Sequence, residues 1–142
     1  MRALLDVNVL VALLDSGHVH HAAAGNWLER HIEDGWASCP LTQNGCLQLL
    51  ASEGYPRPQP VAAVLTRLRE ATATRFHEFW PDDFSLLDTT RLNHDWLLRG
   101  RQVADGYLLA LAVRRQGVLV TLDRGVDLSF VQGAEPRHLV VI

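Results

Sequence analysis

Apolar positions along the chain fall into two kinds of run. Short continuous apolar stretches alternate with longer segments in which apolar residues recur every three or four positions. The first kind reads as buried parallel strands and the second as amphipathic helices. Arg2-Ala3-Leu4-Leu5 is the first strand and ends in Asp6, after which Val7 to Leu14 continues as a short helix. Between His18 and His31, Val19, Ala22, Ala23, Trp27 and Leu28 keep close to a helical period, and Gly35 stops that helix. Trp36-Ala37-Ser38-Cys39 is a second strand, and Pro40 opens a helix over about 41–52 with Thr42 as its N-cap.

Three prolines between Gly54 and Pro60 remove amide donors and fix backbone torsions, which makes that stretch a loop. A helix over Val61 to Ala71 follows, then an edge strand at His77-Glu78-Phe79-Trp80 and a turn at Pro81-Asp82-Asp83 leading into Phe84 to Leu87. From Ala104 to Gln116, Leu108, Leu109, Leu111, Ala112 and Val113 form a broad buried helix face, ended by Gly117. Val118-Leu119-Val120 runs on into Thr121-Leu122-Asp123 as a strand, and Leu139-Val140-Val141-Ile142 supplies the last one. Strands alternating with helices predict an α/β fold, a three-layer α/β/α sandwich with a central parallel sheet, formed by one domain over residues 1–142.

Ligands of such sheets bind beyond the carboxyl ends of the strands, at a topological switch point. Asp6 and Asp123 are both placed at that edge, and Asp105 falls in the first turn of a helix. Each has a purely structural alternative: helix capping or dipole compensation for Asp105, turn formation for the other two. Convergence of all three would change the reading. Two unit charges about 4 Å apart at an effective dielectric of about 20 repel by roughly 4 kcal/mol. Three such pairs rival the whole stability of a domain, about 5–15 kcal/mol, so the cluster must hold protons or a cation. Carboxylate oxygens with no histidine or cysteine beside them in sequence select Mg²⁺ or Mn²⁺ over zinc.

Composition narrows the picture further. The chain has 142 residues, 48% of them hydrophobic, without a stretch of the ~18 apolar residues that would span a membrane and without signal-peptide features at its start. A cytoplasmic protein with no membrane partner is expected. Cys39 and Cys46 match neither a disulfide scaffold nor a zinc site and are expected to be buried thiols. Net charge is -3, unlike a protein that coats DNA nonspecifically, yet all 13 basic residues are arginine, the side chain that grips phosphate through paired hydrogen bonds. Base composition of the genome is the alternative explanation of that choice.

Three segments resemble one known family in the same order and at the same spacing. Leu4-Leu5-Asp6-Val7-Asn8-Val9-Leu10 is similar to the opening of PIN-domain proteins, Ala104-Asp105-Gly106-Tyr107-Leu108-Leu109-Ala110-Leu111-Ala112 to their third acidic motif, and Val120-Thr121-Leu122-Asp123-Arg124 to their fourth. The length resembles the VapC toxins of VapBC toxin–antitoxin pairs. The resemblance implies an α/β/α fold and an Mg²⁺- or Mn²⁺-dependent endoribonuclease that hydrolyses RNA phosphodiesters. It also implies inhibition by a VapB-type antitoxin, a homodimer, and Asp6, Asp105 and Asp123 as catalytic and metal-site positions. The family's second motif carries a glutamate where this chain has Gln43, whose amide oxygen can touch a cation but brings no charge. Weaker metal affinity, an altered metal preference, dependence on the substrate phosphate or loss of activity are the expected consequences.

Asn8 and Thr121 are candidates to orient the carboxylates, with local turn hydrogen bonding as the alternative, and Asp127 is a further acid for the rim. His18, His20 and His21 read as a solvated helix start. Arg99, Arg101, Arg114, Arg115 and Arg124 are either an RNA-contacting set or solvated surface residues. Trp27, Trp36, Trp80 and Trp96 include base-stacking candidates, at least two of them buried anchors. Two rival functions stand beside the nuclease: a PIN module that binds RNA or protein without cutting, and a haloacid-dehalogenase-type phosphatase. The second lacks its required general acid, because Asn8 occupies that place.

Overall fold

A computed structural model describes residues 1–142. The chain runs β1 (Ala3–Leu5), α1 (Val7–Leu14), α2 (His21–His31), β2 (Trp36–Ser38), α3 (Pro40–Leu50), α4 (Val61–Thr72), β3 (His77–Phe79), α5 (Arg101–Arg114), β4 (Val118–Thr121) and β5 (Leu139–Val141). All five strands are parallel, in the order β3-β2-β1-β4-β5. From β1 the chain winds outward through β2 to β3, then crosses back by α5 to β4 on the other side of β1. The carboxyl ends of β1 and β4 therefore flank the switch point of the sheet.

Strand periodicity divides the interior in two. Ala3, Leu5, Trp36, Val118 and Val120 pack with Val9, Leu10, Ala24, Cys46, Leu50 and Val64, contributed by α1 to α4. Leu4, Ala37 and Leu119 point to the opposite face, against Leu108, Leu109, Leu111 and Ala112 of α5, with Trp80, Leu92 and Phe130 completing that core. Alternate residues of a strand face opposite sides, so the central strands are apolar on both faces over Ala3–Leu5 and Val118–Val120 and are covered by helices on both sides. Continuous apolar runs had pointed to this arrangement.

Element boundaries show what the pattern did not carry. Helix α3 begins at Pro40 and is capped by Cys39, not Thr42: the Thr42 hydroxyl lies in the first turn and reaches back, accepting from the Cys39 amide at 3.0 Å. Helix α5 begins at Arg101, a turn earlier than periodicity indicates, because the Gln102 side-chain oxygen accepts the amides of Leu98 and Arg99 at 3.0 Å each and satisfies donors ahead of the helix. Asp105 is consequently in the second turn, where capping does not explain it. Gly35 ends a 3-10 turn at φ +79°, a conformation that disfavours side chains, and the Arg2 guanidinium fills the space beside it while donating to the Trp36 and Phe76 carbonyls. Both cysteines are free and buried, and burial pushes their thiols up to about 11 at Cys39 and about 12 at Cys46. No helix is long and apolar enough to cross a membrane.

The proline-rich loop is tied to the end of α1 by Asp15, which is 4% exposed and accepts from Arg57 at 2.6 Å and from the Tyr55 hydroxyl. Arg57 first, then Tyr55, hold this carboxyl well below the usual carboxylate range. A depressed folded-state value stabilises the fold at neutral pH, and that contribution fades as pH falls below about 4. Asp15→Asn is therefore expected to lower the melting temperature most at pH 7, with the gap to wild type narrowing toward pH 3. A gap that stays constant with pH in thermal scans would contradict this assignment.

Candidate active site

Asp6 leaves β1 at its carboxyl end, still bonded to the sheet through its amide to the Val120 carbonyl at 3.0 Å. Its side chain then caps α1, Oδ1 accepting the Val7 amide at 2.7 Å. Oδ2 accepts the Thr121 hydroxyl at 2.7 Å and lies 3.4 Å from the Asn8 amide nitrogen. Thr121, fully buried at the end of β4, also accepts from Asn8 Nδ2 at 3.1 Å and from the Asp123 amide at 3.0 Å. Asn8 completes the lattice by accepting the Leu122 amide at 3.0 Å. One hydroxyl and one amide thus lock the ends of two adjacent strands together. They hold Asp6 directly and Asp123 through its backbone.

Asp123 is exposed and turns the chain, its Oδ1 accepting the Gly125 amide at 2.7 Å. Asp105 reaches the same place from α5: Arg101, Gln102, Asp105, Asp123 and Gly125 line one cavity of about 290 Å³ with no apolar residue in its wall. Electrostatics bind the three acids into one unit. Burial pushes the Asp105 carboxyl up to about 6, helped by the negative charges of Asp6 and Asp123, with Arg101 the opposing influence. Asp6 is raised as well, mainly by burial and in part by Asp123, although its hydrogen bonds to Thr121 and Val7 pull the other way. The charged forms are in conflict, which is the condition for proton or cation binding. Even so, no three His, Cys, Asp or Glu groups converge tightly enough to form a closed ligand set by themselves.

Two further positions proposed from sequence are engaged in local hydrogen bonds. Gln43 donates its side-chain amide to Ser38 at 2.9 Å and lines a groove with Leu47 of α3 and Leu65, Leu68 and Arg69 of α4. It occupies the face of α3 turned to α4, roughly 160° around the helix from Gly45, which packs on Val7 of α1. Asp127 caps the 3-10 turn Leu128–Phe130, accepting from the Ser129 amide and hydroxyl at 2.8 Å each. Those bonds lower its pKa and engage Oδ1 in local capping. Asn8 and Thr121, by contrast, do reach Asp6.

The remaining candidates separate cleanly. Arg101 borders the acids, whereas Arg114 and Arg115 pair with Asp83 near the far end of α5, about 14 Å along the helix from Asp105. Arg99 and Arg124 are exposed. Trp36 and Trp80 are buried anchors, Trp27 stacks on His31, and Trp96 is 58% exposed. His18 and His21 bond to nearby backbone. Sequence reasoning did not single out Gln102; its signal, a glutamine just after an exposed Gly-Arg pair ahead of an acidic helix, is too common to stand out.

Comparison with known proteins agrees with this geometry. The PIN domain family model matches residues 3–128. The chain is 48% identical over 142 residues to ribonuclease VapC44 of Mycobacterium tuberculosis, covering all of both chains. It is 40% identical over 124 residues to ribonuclease VapC39 of the same organism, covering 87% of this chain and 89% of that one. Its fold matches the crystal structure of M. tuberculosis VapC20, a sarcin-ricin loop cleaving toxin, with a TM-score of 0.63 over 94% of this chain and 99% of that chain at 14% identity. With the family model spanning most of its length and a relative 48% identical over the whole of both chains, this chain belongs to the PIN-domain family, in its VapC ribonuclease branch.

Proposed function

We propose that this protein is a divalent-metal-dependent endoribonuclease, the toxin of a VapBC-type pair, acting in the cytoplasm as a homodimer that a VapB-type antitoxin silences. The observation that carries the reading is the meeting of Asp6, Asp105 and Asp123 in one field of mutual repulsion at the switch point. Their oxygens are hard donors suited to Mg²⁺ or Mn²⁺. The acids do not by themselves make a complete metal cage, so an ion held there would keep part of its water shell or take a ligand from substrate. When bound, such an ion supplies Lewis-acid activation of water and phosphodiester.

The chain's own residues do the rest. Thr121 and Asn8 fix the Asp6 carboxylate, so that its geometry is set before substrate arrives. Asp105, which receives no compensating hydrogen bond, is the carboxylate free to take a proton from the attacking water as the water oxygen bonds to phosphorus and the bond from phosphorus to the departing ribose oxygen breaks, that oxygen taking up a proton from solvent. Arg101 on the preceding turn is placed to neutralise a nonbridging phosphate oxygen. The phosphatase alternative has no support, since Asn8 is committed at both ends of its amide. The non-cutting alternative is disfavoured by the 48% identity to a ribonuclease over the full chain, and metal-dependent cleavage of RNA discriminates it.

The test is RNA cleavage by the purified chain after chelator treatment, with Mg²⁺ or Mn²⁺ added back. Either ion should restore cutting, and addition of the antitoxin from the neighbouring reading frame should stop it. Cutting undiminished by chelator, or absent with both ions, would refute the proposal.

A further inference from the structure

Trp96 is the one tryptophan that packs against neither core, and the segment just after it hydrogen-bonds to Gln102 in the wall of the acidic cavity. It ends a 3-10 turn, His94–Trp96, that is braced at both ends. On one side Asn93 donates its backbone amide to the Phe130 carbonyl at 2.9 Å and its side chain to the Ser129 carbonyl at 2.8 Å, both downstream of Asp123. On the other, Leu97 packs on Gly106, so closely that a Cβ there would lie 3.0 Å from its methyl group, one residue from Asp105. The next two amides, of Leu98 and Arg99, bond to Gln102 in the cavity wall.

The ring is held largely in water on a doubly anchored turn, which makes it a rigid surface that a planar group can stack on. Leu98, 78% exposed, extends the apolar surface. Arg99 takes part in no ion pair, and neither does Arg101. Asp95 is the only acid among residues 94–101, so the segment carries net positive charge beside a cavity whose own charge repels phosphate. An aromatic ring interleaved with unpaired arginines is the arrangement that holds single-stranded nucleic acid, rings under bases and guanidiniums on the backbone.

Resting on the nuclease reading above, we infer that Trp96 is a positioning residue on which an unpaired base of the RNA substrate stacks next to the scissile phosphate, with Arg99 on the adjoining phosphate. Stacking on one face tolerates any base, so this contact selects single-stranded over duplex RNA and leaves sequence preference to other groups.

The test uses the full chain carrying Asp105→Asn, so that RNA binding is read without cleavage, and a fluorescein-labelled mixed-sequence RNA oligonucleotide, single-stranded or annealed to its complement. Adding Trp96→Ala should weaken single-strand binding roughly 5- to 150-fold, the equivalent of the ~1–3 kcal/mol of a stacked base. Trp96→Phe should recover most of it, and duplex binding should be indifferent to both. In otherwise wild-type protein the Trp96→Ala loss should appear in KM rather than kcat. Single-stranded RNA bound and cut equally with and without Trp96 overturns the inference while leaving the nuclease intact. Weakened antitoxin binding with RNA binding unchanged also overturns it, and reassigns the ring to a protein interface. Trp96-dependent binding in a wild-type chain that never cuts sustains it and refutes the nuclease, and single-stranded RNA bound by no variant overturns the inference, the nuclease then being decided by the cleavage assay.

Discussion

Asp105→Asn is expected to remove RNA cleavage almost entirely, by more than the roughly 10- to 100-fold that loss of a supporting partner costs a metal site. The same substitution should make the ion-free protein more stable. The asparagine is nearly isosteric but carries no charge to oppose Asp6 and Asp123. The folded-state value near 6 lies above the unfolded value near 3.8, so folding is favoured while Asp105 is protonated and weakened as pH rises through that interval. Above about pH 6 the penalty is complete. Allowing for solvent screening of a half-exposed group, relief of that penalty should contribute about 1 kcal/mol at pH 7. The melting temperature of the variant should exceed that of wild type at pH 7 and converge on it near pH 4. Mn²⁺ should then raise the wild-type melting temperature while moving the variant far less. A folded variant that cuts RNA normally, or one less stable than wild type at pH 7 without metal, would contradict this account.

Trp80→Ala is expected to be the most damaging single truncation of the scaffold, at about 3–5 kcal/mol, lowering the melting temperature by roughly 10–15 °C. Trp80 is 2% exposed in the α5-side core. It follows the edge strand β3 yet extends to the approach of β4, where its ring lies 2.7 Å from the place a Gly117 Cβ would take. Its indole nitrogen donates to Glu78 at 2.9 Å, and Glu78 pairs with Arg2 at 3.2 Å, so the ring joins the β3 edge to the middle of the sheet. Truncation opens a cavity under α5 and removes the indole donor from Glu78 Oε1, leaving only the Arg2 ion pair. Trp96→Ala, at an exposed site, should stay within about 0.5 kcal/mol of wild type. Chemical denaturation of the two variants side by side decides the point: equal losses would show that burial does not separate these tryptophans.

Much of the architecture was readable because strand and helix periods differ. Runs such as Ala3-Leu4-Leu5 and Val118-Leu119-Val120 are apolar on both faces, which only a covered parallel strand explains, and the acid closing each run marked the functional edge. Boundaries were less legible where a side chain caps from inside the helix, as Gln102 does for the start of α5 and Thr42 for α3. The segment of residues 82–100 carries little periodic signal. It is held by tertiary hydrogen bonds such as those of Asn93 to the chain near Phe130, and local pattern does not encode them.

The site divides along the same line. Residue type and chain order alone marked Asp6, Asp105 and Asp123 and, through family resemblance, their chemistry. Helix phase and the alternatives open to a polar side chain decided the remainder. Gln43 and Asp127 have suitable chemistry, but the amide of one is donated to Ser38 and a local cap engages the other. Asn8 and Thr121, no more distinctive in sequence, are brought within bonding reach because β1 and β4, 113 residues apart, pair as neighbours. Sequence determines which groups a chain can offer and the period of its elements, since both are local properties. Which groups meet depends on directions set when distant elements pack, and only the folded chain holds that information.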